Sequence, residues 1–212
     1  AAEVIAGARF PLIMAGNGVI RAGASQALVA FAEKLGIPVA NTFMAKGVIP
    51  FSHELSLGAV GLQAADYVSC GFDRADVVIC VGYDLVEYPP ELWNKGADRR
   101  IVHIDALPAE VDEHYILAVG VLGDIGASLE ALAAEVEADR NVNVMELRRT
   151  IVDQMEAHAR DRGFPVKPQK IMWDLRRVLD PEDIVLSDVG AHKMWMARMY
   201  QAERPNTCLI SN

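Results

Sequence analysis

The chain has 212 residues and a formal net charge of −9, and 52% of its residues are hydrophobic against 23% that are charged. This composition supplies a sizeable buried core and excludes a largely disordered chain. The acidic balance, with no cluster of Lys and Arg, argues against a nucleic-acid partner or an acidic membrane surface.

The cysteines and the apolar runs indicate a cytoplasmic protein. Cys70, Cys80 and Cys208 are odd in number and unrelated in spacing, so they predict neither a disulfide framework nor a zinc site. No apolar run reaches the roughly 18 residues that a membrane-spanning helix needs. The first residues lack the basic and apolar regions of a signal peptide. We therefore expect no membrane partner.

Residues 1–140 alternate short apolar runs with segments of helical periodicity. This alternation is typical of a doubly wound α/β domain, in which a mostly parallel sheet has helices on both faces. A helix is expected from Leu28, Phe31 and Leu35, which recur at helical spacing before Gly36. A second helix is expected after its N-cap, Asp124. The expected strands are 10–15, 37–40, 76–81, 100–105 and 118–122. The apolar stripe of the second helix is Ile125, Leu129, Leu132 and Val136.

The remaining residues predict a connecting helix and the start of a second α/β unit. Polarity rises over 139–143, which we interpret as a domain boundary, and a helix is expected over 145–160 with Leu147, Ile151 and Met155 on one side. Pro168 opens a further helix, which is expected to turn Ile171, Leu175 and Val178 inward. A strand at 183–188, a glycine turn, a helix and a strand at 207–210 complete the pattern. We expect a central Rossmann-like domain at 1–140, a linker at 141–166 and a truncated second domain at 167–212, so that the chain is a fragment of a larger protein.

The strand–turn–helix unit near the end of the chain is a candidate phosphate-binding site. Gly190 lies in the turn and His192 at the entry to the helix. Free backbone N–H groups and the positive end of a helix dipole attract phosphate at such a position. An alternative interpretation makes His192 a solvated residue at the start of the helix.

Two blocks of residues resemble thiamine-diphosphate enzymes. The run 187–198 is similar to the start of the diphosphate-binding domain of acetolactate synthases, many of which read Gly-Gln-His-Gln-Met-Trp at this point. Gly190, His192, Met194 and Trp195 match that pattern, whereas Ala191 and Lys193 depart from it. The run Gly-Tyr-Asp-Leu-Val-Glu-Tyr at 82–88, followed by Trp93-Asn94 and by 100–105, resembles the catabolic, FAD-independent branch.

The resemblance implies a function for the larger protein. Acetolactate synthases condense two pyruvates to 2-acetolactate and release carbon dioxide, using thiamine diphosphate and Mg²⁺, and they assemble as homo-oligomers, either dimers or tetramers. The activating Glu and the metal ligands of this family lie in the first and last domains, so we expect neither catalytic nor metal-binding residues in this chain. Gly190 and His192 are the residues that the resemblance places at the cofactor diphosphate.

A vestigial nucleotide cleft is expected at Gly16, Gly18, Tyr83 and Asp105. Gly16-Asn-Gly18 follows a strand, but the third glycine of a dinucleotide fingerprint is replaced by Arg21, so a tight turn is the alternative role. Asp105 ends a strand, where it either binds a ribose hydroxyl or caps a loop. Flavin-dependent relatives carry an Arg close to position 83 that meets phosphate. In this chain Tyr83 is followed by the acids Asp84 and Glu87. An acid where a phosphate partner is expected would repel a pyrophosphate, and FAD binding is therefore disfavoured.

Other motifs and other functions stay open. Gly123-Asp124 resembles the start of a Gly-Asp-Gly metal motif, but Ile125 follows and a helix cap is expected. Lys46 either lines a cleft or is a solvated loop lysine, and His103 is expected in the core. The runner-up functions are those of other thiamine-diphosphate enzymes that act on 2-oxo acids, such as pyruvate oxidase or sulfoacetaldehyde acetyltransferase. A different class, a stand-alone nucleotide- or partner-binding module, is the remaining alternative.

Overall fold

The computed structural model describes residues 1–61, 69–137 and 145–211, without the side chains of residues 69 and 70. The expected domain boundary at 139–143 lies outside the described residues. The strands are β1 Pro11–Ala15, β2 Val39–Thr42, β3 Ser56–Val60, β4 Val77–Val81, β5 Arg100–Asp105, β6 Leu117–Leu122, β7 Val185–Ser187 and β8 Cys208–Ile210. The helices are α1 Ala2–Ala6, α2 Asn17–Arg21, α3 Ser25–Leu35, α4 Ser69–Arg74, α5 Pro90–Trp93, α6 Ile125–Glu135, α7 Met145–Glu156, α8 Pro168–Val178 and α9 Ala191–Met199.

In the described part of the chain, six parallel strands form one sheet in the order β3-β2-β1-β4-β5-β6, here called the main sheet. β1 pairs with both β2 and β4, so the strand order reverses at the carboxyl ends of β1 and β4. In such open sheets, ligands bind at this reversal. β7 and β8 pair in parallel in a separate sheet, here called the small sheet.

Helices cover both faces of the main sheet, which confirms the doubly wound fold. On one face, α1, α3 and α6 pack through residues such as Ile5, Phe31 and Leu129. On the other face, an aromatic cluster around Trp93 packs with α4, α5 and α7. β1 and β4 are buried along their whole length because both of their faces are covered.

The local signals for two helices are confirmed. α3 ends at Gly36, whose left-handed conformation closes the helix. Asp124 caps α6 by accepting a hydrogen bond from the backbone amide of Ala127 at 2.8 Å. The stripe of α6 is buried at Ile125 and Leu129, and Val136 is buried just beyond the helix. Gly123-Asp124 is therefore a helix cap.

One strand was not predicted, and the expected inward face of one helix is wrong in part. β3 was not expected, because Gly58 interrupts its apolar pattern and the β2–β3 register shifts between Val39 and Ala40. α8 does not turn Ile171 and Val178 inward, and Val178 is 79% exposed. α8 packs through Met172 and through Leu175, which was expected to face inward, against Met196 and Tyr200.

Candidate functional site

At the strand reversal, Gly16 and Gly18 contact the backbone at the end of β4 and in the loop that follows it. The amide of Gly16 donates to the Val81 carbonyl at 2.9 Å, and that of Gly18 donates to the Gly82 carbonyl at 2.8 Å. A methyl group on Gly16 would lie 2.5 Å from the Cα of Tyr83, and one on Gly18 would lie 2.7 Å from the Cα of Gly82. The β1–α2 turn therefore uses its glycines to lie against the loop after β4.

A buried carboxyl group occupies the start of α2. Both side-chain oxygens of Glu87 accept hydrogen bonds from the backbone amide of Asn17, at 3.2 and 3.1 Å. The hydroxyl of Thr42 donates to Oε2 of the same carboxyl group. Glu87 is 4% exposed, and its burial raises its pKa. A phosphate bound at this turn would need the amide that Glu87 already uses.

A small cleft of about 130 Å³ follows β4 and β5. Tyr83 and Asp105 both line it, together with Arg21 and His103, so the structure brings together two of the residues expected at a nucleotide cleft. Gly16 and Gly18 do not line this cleft. One oxygen of Asp105 accepts from the amide of Leu107 at 3.1 Å and so closes its own loop.

Tyr83 belongs to the aromatic cluster on the second face. Its ring contacts Trp93 and Tyr115, and its hydroxyl donates to the carbonyl of Tyr88 at 2.5 Å. Burial raises the pKa of Tyr83 above its ordinary value. The hydroxyl is therefore a neutral donor engaged within the core.

His103 is buried, as expected for a core histidine. Its Nδ1 lies 2.8 Å from the hydroxyl of Tyr115, and burial lowers its pKa. A neutral imidazole between the cleft and the core carries no charge to attract a phosphate.

The Gly190 turn lies apart from this cleft, between β7 and α9. Gly190 has a φ of +147°, a conformation that side chains rarely adopt, and a methyl group there would lie 2.8 Å from the His192 ring. The first turn of α9 carries no acidic residue, and its N-cap residue, Gly190, makes no side-chain cap hydrogen bond. Asp188 instead folds back onto the amide of Val189 at 2.7 Å. Backbone amides at an uncapped helix start fit one phosphate group, and His192 is exposed beside them.

A larger groove of about 450 Å³ separates the two sheets. It is lined by Asn17 and Met44 on one side and by the ends of β7 and β8, including Ser187 and Asp188, on the other. The start of α2 and the end of the small sheet therefore face the same open space.

Lys46 is a buried residue, so the solvated interpretation of this lysine is wrong. Its Nζ donates to the carbonyl of Ala197 in α9 at 2.9 Å. Burial lowers the pKa of Lys46, and the nearby Cys208 acts in the opposite direction.

The described ranges contain no group of three or more His, Cys, Asp or Glu side chains that could hold a metal ion. Within the same ranges, no helix is both long enough and apolar enough to cross a membrane.

Comparison with known proteins decides the family. Residues 1–132 match the family model described as "Thiamine pyrophosphate enzyme, central domain". The chain belongs to this family.

Similarity to named relatives extends beyond the matched domain. The chain is 32% identical to the probable acetolactate synthase large subunit of Methanocaldococcus jannaschii, over all of this chain and 37% of that protein. It is 30% identical to an acetolactate synthase of Bacillus subtilis, over 97% of this chain and 37% of that protein. It is 31% identical to the acetolactate synthase large subunit of Corynebacterium glutamicum, over all of this chain and 35% of that protein. The chain thus spans little more than a third of the length of these relatives.

The sequence did not reveal the two buried contacts of Glu87 and Lys46. Glu87 was noted only as an acid near a phosphate position, and its partner Asn17 lies 70 positions away. Lys46 and Ala197 are 151 positions apart. The Lys-Gly pair after a buried strand was the available signal, but it does not say what the ammonium contacts.

Proposed function

We propose that this chain is the central part of a thiamine-diphosphate-dependent acetolactate synthase, which condenses two pyruvates and releases carbon dioxide. The observation that carries the proposal is the similarity to acetolactate synthases along 97–100% of the chain. We further propose that residues 1–140 are the central domain, 141–166 the connection, and 167–212 the start of the diphosphate-binding domain. The parent would be a cytoplasmic homo-oligomer.

The cofactor would meet this chain at the Gly190 turn. Thiamine diphosphate supplies the carbanion chemistry of this family. The protein groups available here are the backbone amides at the start of α9, with Gly190 in a conformation that other residues rarely adopt and His192 lying exposed beside the turn. Magnesium would be held by residues of the parent other than those described here. The role of this chain is therefore to bind and orient one end of the diphosphate.

We propose that the chain does not bind FAD. Glu87 uses the amide at the start of α2, and Tyr83 turns its hydroxyl into the core rather than toward a phosphate. A hydrogen bond to a charged group contributes about 1.5–3 kcal/mol. The lack of an Arg at position 83 alone would then cost about tenfold or more in affinity for a pyrophosphate.

The reading frame on either side of these residues tests the proposal. We expect a Gly-Asp-Gly metal motif shortly after residue 212 and a pyrimidine-binding domain before residue 1. The 212-residue chain, assayed with pyruvate, thiamine diphosphate and Mg²⁺, should form no acetoin after acid decarboxylation. Turnover above the buffer blank would show that the catalytic groups lie within the chain, and a stop codon directly after residue 212 would contradict the enzyme proposal.

A further inference from the structure

Lys46 reaches from the loop after β2 to the last turn of α9. Its Nζ donates to the Ala197 carbonyl at 2.9 Å, and the residue is 6% exposed. The last carbonyls of a helix have no partner within the helix, and they carry the negative end of its dipole. Lys46 therefore caps α9 as a basic residue of the last turn would, but it does so from the main-sheet side of the molecule.

The chain around Lys46 makes further contacts with the same region. A side chain at Gly47 would overlap the carbonyl of Arg204, so the two backbones lie directly against each other there. The amide of Phe51 donates to the Ala202 carbonyl at 3.0 Å. Near the other end of α9, the Nζ of Lys193 lies 5.2 Å from the centre of the Phe43 ring. Residues 43–51, here called the bridging segment, thus contact α9 at both of its ends.

We propose that Lys46 is a positioning residue that sets where α9, and with it the Gly190 turn, lies relative to the main sheet. α9 has nine residues, a length of about 13 Å at 1.5 Å per residue. A helix of that length is rigid enough for a bond at its last turn to fix its first turn. The link to the cofactor rests on the proposed function, which places a phosphate at that first turn.

Lys46→Met removes the ammonium but keeps a long apolar side chain, and Lys34→Met is its matched control. The Nζ of Lys34 also donates to a carbonyl in the last turn of a helix, but that carbonyl is the one of Ala133 in α6, and Lys34 is exposed. Hydrogen–deuterium exchange should show that Lys46→Met speeds exchange in α9 at least tenfold, equivalent to about 1.4 kcal/mol. Exchange in β4 should be unchanged. Lys34→Met should leave the exchange rates in α9 the same as in the unsubstituted chain.

The intensity of the nuclear Overhauser effects between the Phe43 ring and the Lys193 side chain is a second measurement. A general loss of stability would not change it. We expect them to weaken in Lys46→Met and to persist in Lys34→Met. Equal acceleration of exchange in α9 and β4, or an unchanged Phe43–Lys193 contact, would overturn the positioning role. If Lys46→Met does not fold, the same two measurements, exchange in α9 against β4 and the Phe43–Lys193 contact, are made on Lys46→Gln. The glutamine side chain is uncharged and shorter than that of lysine.

Titration with inorganic pyrophosphate, followed on the amides of Gly190 and His192, separates this inference from the proposed function. Pyrophosphate binding that is at least threefold weaker in Lys46→Met than in the unsubstituted chain supports the positioning role. Equal affinity overturns the link between Lys46 and the cofactor. If pyrophosphate does not change the amide chemical shifts of Gly190 and His192 in the unsubstituted chain, the proposed function of the turn fails. Faster exchange confined to α9 in Lys46→Met would still support the positioning of the helix.

Discussion

Replacing Gly82 by Ala should destabilise the ligand-free chain strongly, because Gly82 directly follows β4 and packs against Gly18 and Val19. Gly82 has a φ of +55°, and a methyl group there would lie 2.7 Å from the carbonyl carbon of Gly18 and overlap the amide of Val19. The left-handed conformation costs a residue with a side chain roughly 1–2 kcal/mol. Forcing a methyl group into packed backbone costs about 1–3 kcal/mol more. We therefore expect Gly82→Ala to lower the free energy of unfolding by about 2–5 kcal/mol.

Gly23→Ala is the matched control for the backbone conformation alone. Gly23 has a φ of +66°, and a methyl group there would meet no atom within 4 Å. Its cost should be only the roughly 1–2 kcal/mol of the left-handed conformation. Urea unfolding of both variants, followed by circular dichroism, measures the difference. Equal losses in the free energy of unfolding for Gly82→Ala and Gly23→Ala would refute this inference: that the glycines at the strand reversal allow contacts within the chain and do not leave room for a nucleotide.

Three further predictions concern the small sheet, Glu87 and the flavin. Residues 184–186 should exchange faster than Val77–Val81, because β4 is buried between two strands whereas β7, in the described part of the chain, pairs only with β8 and Leu186 is 75% exposed. Equal or stronger protection at 184–186 would contradict this. Burial raises the pKa of Glu87 above 4.5, so the stability linked to its proton is present below that pH and is lost as the pH rises through the raised value. As the pH rises from 4.5 through that raised value, the free energy of unfolding should therefore fall more in the unsubstituted chain than in Glu87→Gln. Parallel profiles of the urea-unfolding free energy against pH would count against this. Calorimetric titration of the chain with FAD should give no micromolar binding, and a micromolar dissociation constant would place the chain among flavin-binding relatives.

The sequence predicted those elements whose signals are local. α3 and α6 follow from apolar spacing with a glycine or an aspartate at one end, and β4 follows from a continuous apolar run. β3 could not be predicted in this way, because Gly58 breaks its pattern and only pairing with β2 makes it a strand. The inward face of α8 was misassigned because spacing alone does not say which side meets Met196.

The candidate sites divide in the same way. Tyr83 and Asp105 could be placed together because one lies just beyond the carboxyl end of β4 and the other lies at the carboxyl end of β5, and these strands are neighbours in one sheet. The contacts of Glu87 with Asn17 and of Lys46 with Ala197 join residues far apart in the chain, and they exist only after the sheets and helices have packed. Such contacts carry no periodic signal, although they decide which amides and carbonyls remain available to a ligand.

We propose that this chain belongs to a flavin-independent acetolactate synthase. The most direct test is an assay of the intact protein that contains these residues, with pyruvate, thiamine diphosphate and Mg²⁺, with and without added FAD. We expect acetolactate to form at the same rate in both cases and to disappear when thiamine diphosphate is withheld. Failure to form acetolactate, or a rate that depends on FAD, would contradict the account.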